Sequence, residues 1–127
     1  MNNEYKDSVE LLTSQGKFYI NLGLERVSSV LELLGNPQDS LKYFHVAGTN
    51  GKGSVCAVIS SVLEAAGIKT GLFTSPHLFD YTERIKINGV DISKADFARL
   101  VFDICKIADE NNIHLTEFEI LTVMMFK

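Results

Sequence analysis

HVAGTNGKGS, residues 45–54, is the stretch that decides how this chain folds. Three of its ten residues are glycine and a lysine sits among them. Before it runs LKYFHVAG (41–48), apolar, aromatic and β-branched, which reads as a buried strand. After it, Val55, Val58, Ile59, Val62, Leu63 and Ala66 recur at helical spacing up to Gly67. A loop that grips a phosphate needs converging backbone N–H groups, glycines that admit positive φ, and a helix whose positive end faces the anion. Strand, GTNGKGS and helix meet those needs, and Lys52 is placed to reach β- and γ-phosphates. The match to G-x-x-x-x-G-K-[ST] is imperfect. Val46 stands where the first glycine belongs, and Gly53 where the magnesium-binding hydroxyl belongs, with Ser54 one step on. The alternative reading is a glycine-rich turn with an incidental lysine.

Outward from the loop, KTGLFTS (69–75) reads as a second strand. Strand, helix, strand within some thirty-five residues predicts a βαβ unit with parallel strands. Ser75 then lies at a strand's carboxyl end, where α/β sheets place ligands. ERIKING (83–89) alternates apolar and charged residues and ends in Asn88-Gly89, a hairpin signal with Val90 and Ile92 beyond. A helix opens at Ser93, with Asp96 completing a near capping box, and Phe97, Leu100, Val101, Ile104 and Ala108 form its stripe until Asn111-Asn112. Thr116 and Glu119 make a second capping box before ILTVMMF. Upstream, residues 4–15 read as a weak helix and 16–23 as a connector. Leu24 to Leu34 forms a further helix, closed by Gly35 and Asn36-Pro37.

The chain has 127 residues, enough for one modest domain with a core. Its net charge of −4 argues against nucleic acid as a partner. Cys56 and Cys105 form no CxxC pair and read as reduced core thiols, which fits a reducing, cytoplasmic setting. The polar start MNNEYKDSVE is no signal peptide, and the apolar run from Val55 to Gly67 is too short and too polar to span a bilayer. The last apolar stripe reaches Lys127 with no stop signal. The expectation is the front part of a longer protein, with an exposed stripe on which the chain can self-associate.

HVAGTNGKGS, followed by GLFTSPHL and YTERIKING, closely resembles the amino-terminal part of the folylpolyglutamate synthase family, which belongs with the Mur-type ATP-dependent amide ligases. LGLERV (22–27) and HLTEFEILT (114–122) fit the same family, so the resemblance spans nearly the whole chain. Some members also act as dihydrofolate synthases. The resemblance implies an α/β fold of P-loop type, a three-layer parallel sheet flanked by helices and here incomplete. Residues 1–40 would be a helical lead-in and 41–127 the P-loop βαβ unit, hairpin and helices, with the carboxy-terminal domain absent. It implies ATP with Mg2+, and a folate and L-glutamate joined through an acyl phosphate. No membrane partner is implied. Thr49, Asn50, Gly51 and Lys52, completed by Gly53 and Ser54, resemble the ATP loop. Ser75 resembles the magnesium-binding serine, with Ser54 as a second candidate. Asn21, Leu22 and Gly23, and Leu115, Thr116, Glu117 and Phe118, resemble segments that border a pterin site. The family's later magnesium-binding glutamate, metal-binding histidine, modified lysine and closing domain have no place in these residues, so the chain alone is expected not to ligate.

Each residue also has a plainer reading. Ser54 can cap the helix, and Pro76 can simply hold Ser75 extended. His45 reads as a structural histidine in the strand, His77 as a substrate contact or a loop residue, and His114 carries no signal. Glu83 and Arg84 anchor the loop from Pro76 to Tyr81, or form a surface ion pair. Met124 and Met125 read as core. The rival functions are another Mur-type ligase acting on a peptidoglycan precursor, a non-catalytic nucleotide-binding module, and a P-loop kinase.

Overall fold

Helix ends set the frame of the computed structural model, which describes residues 2–15 and 23–127. The elements are α1 (Asn2–Ser14), α2 (Glu25–Leu33), α3 (Lys52–Ala65), β1 (Gly71–Phe73), β2 (Ile85–Ile87), β3 (Val90–Asp91), α4 (Lys94–Glu110) and α5 (Glu117–Phe126), with 3-10 turns at Pro37–Ser40 and Tyr81–Arg84. α2 stops at a left-handed Gly35, where Gly35 N–H donates to Glu32 O and Asn36 N–H to Leu31 O. Gly67 closes α3 and Asn112 closes α4 by the same pair of bonds, so free carbonyls of each last turn find donors.

The chain divides into two units. The first, residues 1–41 and 94–127, is helical: α1 packs on α4, and α5 packs on α4, α2 and α1. The expected stripe of α4 is its buried face, with Phe97, Val101 and Ile104 sealed from solvent beside Leu12 and Val30. The Tyr5 ring meets Phe97 edge-on at 5.5 Å. The apolar residues of α5 are not the exposed stripe expected of them. Ile120, Leu121, Val123 and Met124 are buried in this unit because α2 and α4 cover them. Cys105 lies in the same core, and burial, helped by the Asp109 charge, pushes its thiol up to about 11. A disulfide reagent at pH about 8 should therefore react with half-buried Cys56 and reach Cys105 only after denaturation. Two fast equivalents from the native chain would contradict this burial.

The second unit, residues 42–93, holds α3 and a three-stranded sheet in the order β1-β2-β3. Gly71 faces Ile87 and Phe73 faces Ile85, antiparallel, and β2 turns into β3 with Lys86 opposite Asp91. The turn is Asn88-Gly89, both at positive φ (50° and 78°), the primed geometry that matches strand twist. The expected parallel βαβ pairing is absent among the described residues, and β1 finds its neighbour in β2. The segment 41–48, expected as a buried strand, makes no ladder, and Tyr43, Phe44 and His45 are exposed there. A strand exists through its neighbours, and this one has none here. His45 is accordingly not the buried structural histidine expected. In α3 the polar side packs and the apolar side stands open. Ser60 is buried and donates to Glu64, whereas Val58 and Val62 are 64% and 63% exposed.

Candidate functional site

The glycine loop takes the form its residues require. Gly48 and Gly51 both have positive φ, 153° and 80°, and Gly51 stands as the residue before α3. A side chain added at Gly51 meets no atom within 4 Å, so it is conformation and not crowding that calls for glycine there. Helix hydrogen bonding begins with Val55 N–H to Gly51 O at 3.0 Å. The N–H groups of Lys52, Gly53 and Ser54 precede that bond and have no carbonyl one helical turn back to receive them within α3. Residues 49–55 are exposed and the first turn has no acidic side chain, so nothing anionic in α3 itself competes for its positive end. The Lys52 ammonium folds back onto the carbonyl of Gly48, which lays its charge across the mouth of the loop. Ser54 is exposed in the first turn.

Ser75 follows β1 by two residues, and its bond to Pro76 is cis. Thr74 N–H donates to Arg84 O at 3.0 Å and closes the loop behind it. The Glu83 carboxylate then receives three successive N–H groups, from Leu78 (3.0 Å), Phe79 (2.7 Å) and Asp80 (2.8 Å). Arg84 Nε donates to His77 Nδ1 at 2.8 Å, and its guanidinium lies 5.3 Å from the centre of the Tyr81 ring, itself 4.2 Å from the His77 ring. Of the two readings of Glu83 and Arg84, the anchor is the observed one, and each residue holds a different part of the loop. The spacing Asp80-x-x-Glu83 is a capping box, a signal available in the sequence and passed over.

These bonds hold the Glu83 carboxyl below its ordinary 4.5, the Asp80 N–H contributing most and the Leu78 N–H next, against a smaller opposing effect of burial. A lowered carboxylate stabilises the fold above its unfolded value and loses that contribution as pH falls through the lowered one. Acidifying below 4.5 should move the amide shifts of Leu78, Phe79 and Asp80 together in one step. Shifts that stay fixed down to acid unfolding would show that these bonds do not depend on the charge.

In the helical unit, Gly23 precedes α2 at φ 122°, and a side chain there would collide with the Glu25 carboxylate. Asn21 and Leu22 lie outside the described residues. Leu115, Thr116 and Glu117 are buried and Phe118 is exposed. Thr116 Oγ1 accepts from Glu119 N–H at 3.3 Å and Thr116 N–H donates to Glu119 Oε1 at 3.0 Å, as its spacing predicted. Arg26 joins the two segments, with Nε 3.2 Å from Glu119 Oε1 and a terminal nitrogen 3.0 Å from Oε2, so the first turns of α2 and α5 meet. No local pattern marks this pair, whose members are 93 residues apart. Because both side chains are mostly buried, Glu119→Ala removes two charged contacts from the guanidinium and opens the cap. It should cost about 3–5 kcal/mol in denaturant unfolding, whereas a loss below about 1 kcal/mol would make the pair a surface one.

Among the described residues no three His, Cys, Asp or Glu side chains gather to hold a metal. A magnesium ion carried on nucleotide phosphates needs only one or two protein oxygens, and the hydroxyls of Ser75 and Ser54 suit that donor set. No helix of the described residues is long and apolar enough to cross a membrane.

No family model matches the chain. It is 39% identical over 126 residues to the dihydrofolate synthase/folylpolyglutamate synthase of Bacillus subtilis, covering 96% of this chain and 29% of that protein. It is 44% identical over 108 residues to the dihydrofolate synthetase of Saccharomyces cerevisiae, covering 85% of this chain and 25% of that protein. Among solved structures, the folylpolyglutamate synthase of Thermotoga maritima superposes with TM-score 0.88 at 34% identity, over 98% of this chain and 30% of that one. That of Mycobacterium tuberculosis, complexed with ADP, gives 0.87 at 34% over 98% and 29%. A folylpolyglutamate synthase complex with AMPPCP and folate gives 0.84 at 33% over 96% and 31%. The chain thus spans between a quarter and a third of the length of these proteins.

Proposed function

We propose that this chain, similar in sequence and in fold to folylpolyglutamate and dihydrofolate synthases, belongs with them and carries the nucleotide half of an ATP-dependent ligase joining L-glutamate to folates. One observation carries the reading: a left-handed Gly51 at the head of α3, with the Lys52 ammonium lying across the loop. Relatives seen with ADP and with AMPPCP and folate support it.

In this reading Thr49, Asn50 and Gly51 cradle the phosphates with the first N–H groups of α3, and Gly53 and Ser54 complete the cradle. Lys52 leaves Gly48 O for the β- and γ-phosphates. Ser75, with Ser54, would hold magnesium by their hydroxyl oxygens, and the ion would supply neutralisation of the phosphate charge. A carboxylate oxygen of the folate takes the γ-phosphoryl group and ADP leaves. The amine of glutamate then attacks the acyl carbon, an amide forms, and phosphate and a proton depart. This chain's residues act by holding and by neutralising charge. Gly23, Phe118 and the buried run 115–117, with Asn21 and Leu22, border the pterin end.

The remaining catalytic groups are placed in the length that the relatives carry beyond this chain. The same length is proposed to supply strands beside 41–48, completing the parallel P-loop sheet and covering Tyr43, Phe44 and the open side of α3. Self-association of this chain is assigned to that side and not to α5. The protein is placed in the cytoplasm.

The test is calorimetry of the chain with Mg2+ and AMPPCP, followed by incubation with MgATP, a folate and L-glutamate under mass spectrometry. Nucleotide binding without amide product supports the reading. An amide formed by this chain alone would overturn the division of labour. A stable phosphorylated product formed without glutamate would favour a kinase, and an amide made only from a peptidoglycan precursor another Mur-type ligase.

A further inference from the structure

We propose that Glu83 is the positioning residue for the Ser75 hydroxyl: by drawing the N–H groups of Leu78, Phe79 and Asp80 onto one carboxylate, it fixes the chain that leaves β1. The role rests on the nucleotide reading above, in which Ser75 meets magnesium. The argument is one of fixed points. Thr74 is tied to Arg84 O at 3.0 Å, and Leu78 is tied to Glu83 at 3.0 Å, so only residues 75–77 lie between two anchors. His77 is itself held by Arg84 at 2.8 Å. The anchoring end is firm, because Tyr81 and Thr82 are buried.

Apolar burial does little to hold the loop tip. Leu78 and Phe79, its two large apolar side chains, are 85% and 88% exposed, so burying them contributes almost nothing. An apolar tip left in water would ordinarily collapse onto the nearest surface. Its backbone donors are instead committed to an ionised acceptor, whose bonds are roughly twice as strong as neutral ones. The lowered carboxyl of Glu83 agrees with bonds made to the charged form. Removing that carboxylate releases Leu78, Phe79 and Asp80, so residues 75–77 lose the anchor at their far end and keep the ties of Thr74 and His77 to Arg84.

NMR of the whole chain tests this. In Glu83→Ala the amides of Leu78, Phe79 and Asp80 should exchange at least tenfold faster. The Hβ couplings of Ser75, expected to report one rotamer in the native chain, should average, while Leu72 and Ile87 keep their protection. Glu83→Gln retains an acceptor oxygen and should fall between, which also serves if the alanine variant folds poorly. Affinity for Mn2+·AMPPCP should drop at least fivefold in Glu83→Ala and less in Glu83→Gln, with affinity for AMPPCP alone unchanged. A merely structural role would not produce that metal-dependent split. Ser75 couplings unaltered in Glu83→Ala would overturn the proposal, as would protection lost evenly across β1 and β2. A native chain that binds no Mn2+·AMPPCP would count against the nucleotide reading, and the couplings would still decide the role of Glu83.

Discussion

Lys52→Ala should weaken Mg2+·AMPPCP binding by about 10- to 150-fold, the factor that corresponds to ~1.5–3 kcal/mol for hydrogen bonds to a charged group. The lysine is the one cation in the 45–54 stretch, and its ammonium already lies at the loop, on Gly48 O. Binding needs only a swing from a neutral carbonyl to an anionic phosphate, and the gain in charge attraction drives it. The fold should not notice the change, since Lys52 is exposed and opens its helix. An unaltered melting temperature with lost affinity is therefore the expected pair of results. Lys52→Arg should restore only part of the affinity, because a planar fork does not substitute for a point charge in a narrow cradle. Affinity that survives Lys52→Ala would return the stretch to the status of a turn.

Phe97→Ala should cost about 3–5 kcal/mol, the range for emptying a large aromatic site in a packed core. Phe97 is fully buried and packs edge-on against Tyr5, so the substitution removes an aromatic contact and leaves a hole between α1 and α4. A loss of that size takes much of the 5–15 kcal/mol that ordinarily holds a domain. Denaturant unfolding followed by helical circular dichroism is the measurement. Loss of α1 and α4 with β2 and β3 still protected would show that the helical unit opens by itself. A cost under about 1 kcal/mol would mean that the site refills by collapse.

Structure written in short-range chemistry was legible. Gly35, Gly67 and Asn112 end their helices, Asn88-Gly89 makes its hairpin, and Thr116 with Glu119 makes its box, each through residues only a few positions apart. Structure that depends on a neighbour was not. The apolar run 41–48 has the composition of a buried strand, but composition cannot provide the adjacent strand that would bury it. The stripe of α3 was legible as apolar, but whether a neighbour covers it was not, for the same reason. In the candidate site, the positive-φ glycines before α3 were legible from the loop's pattern, whereas Ser75 was singled out by its place at a strand's end and by the resemblance. Arg26 and Glu119 meet across 93 residues and left no periodic trace, whereas the anchoring by Glu83 was legible, with the Leu78 and Phe79 donors added to the Asp80 bond of its capping box.

The helical unit is assembled from both ends of the chain, with residues 42–93 coming between its two parts in sequence. Its contacts are therefore among the most distant in sequence: α1 with α4, and Arg26 with Glu119. Closing so long a loop is slow, and the helical core has nothing to condense upon until α4 and α5 exist. The contacts of the sheet unit, by contrast, lie within one continuous stretch, and its hairpin can form on the microsecond scale of local turns. On a ribosome the glycine loop would stand folded while α1 and α2 still waited, with their apolar faces wet, for the helices that cover them. Refolding from denaturant should then run in two phases, with sheet protection first and helical burial after.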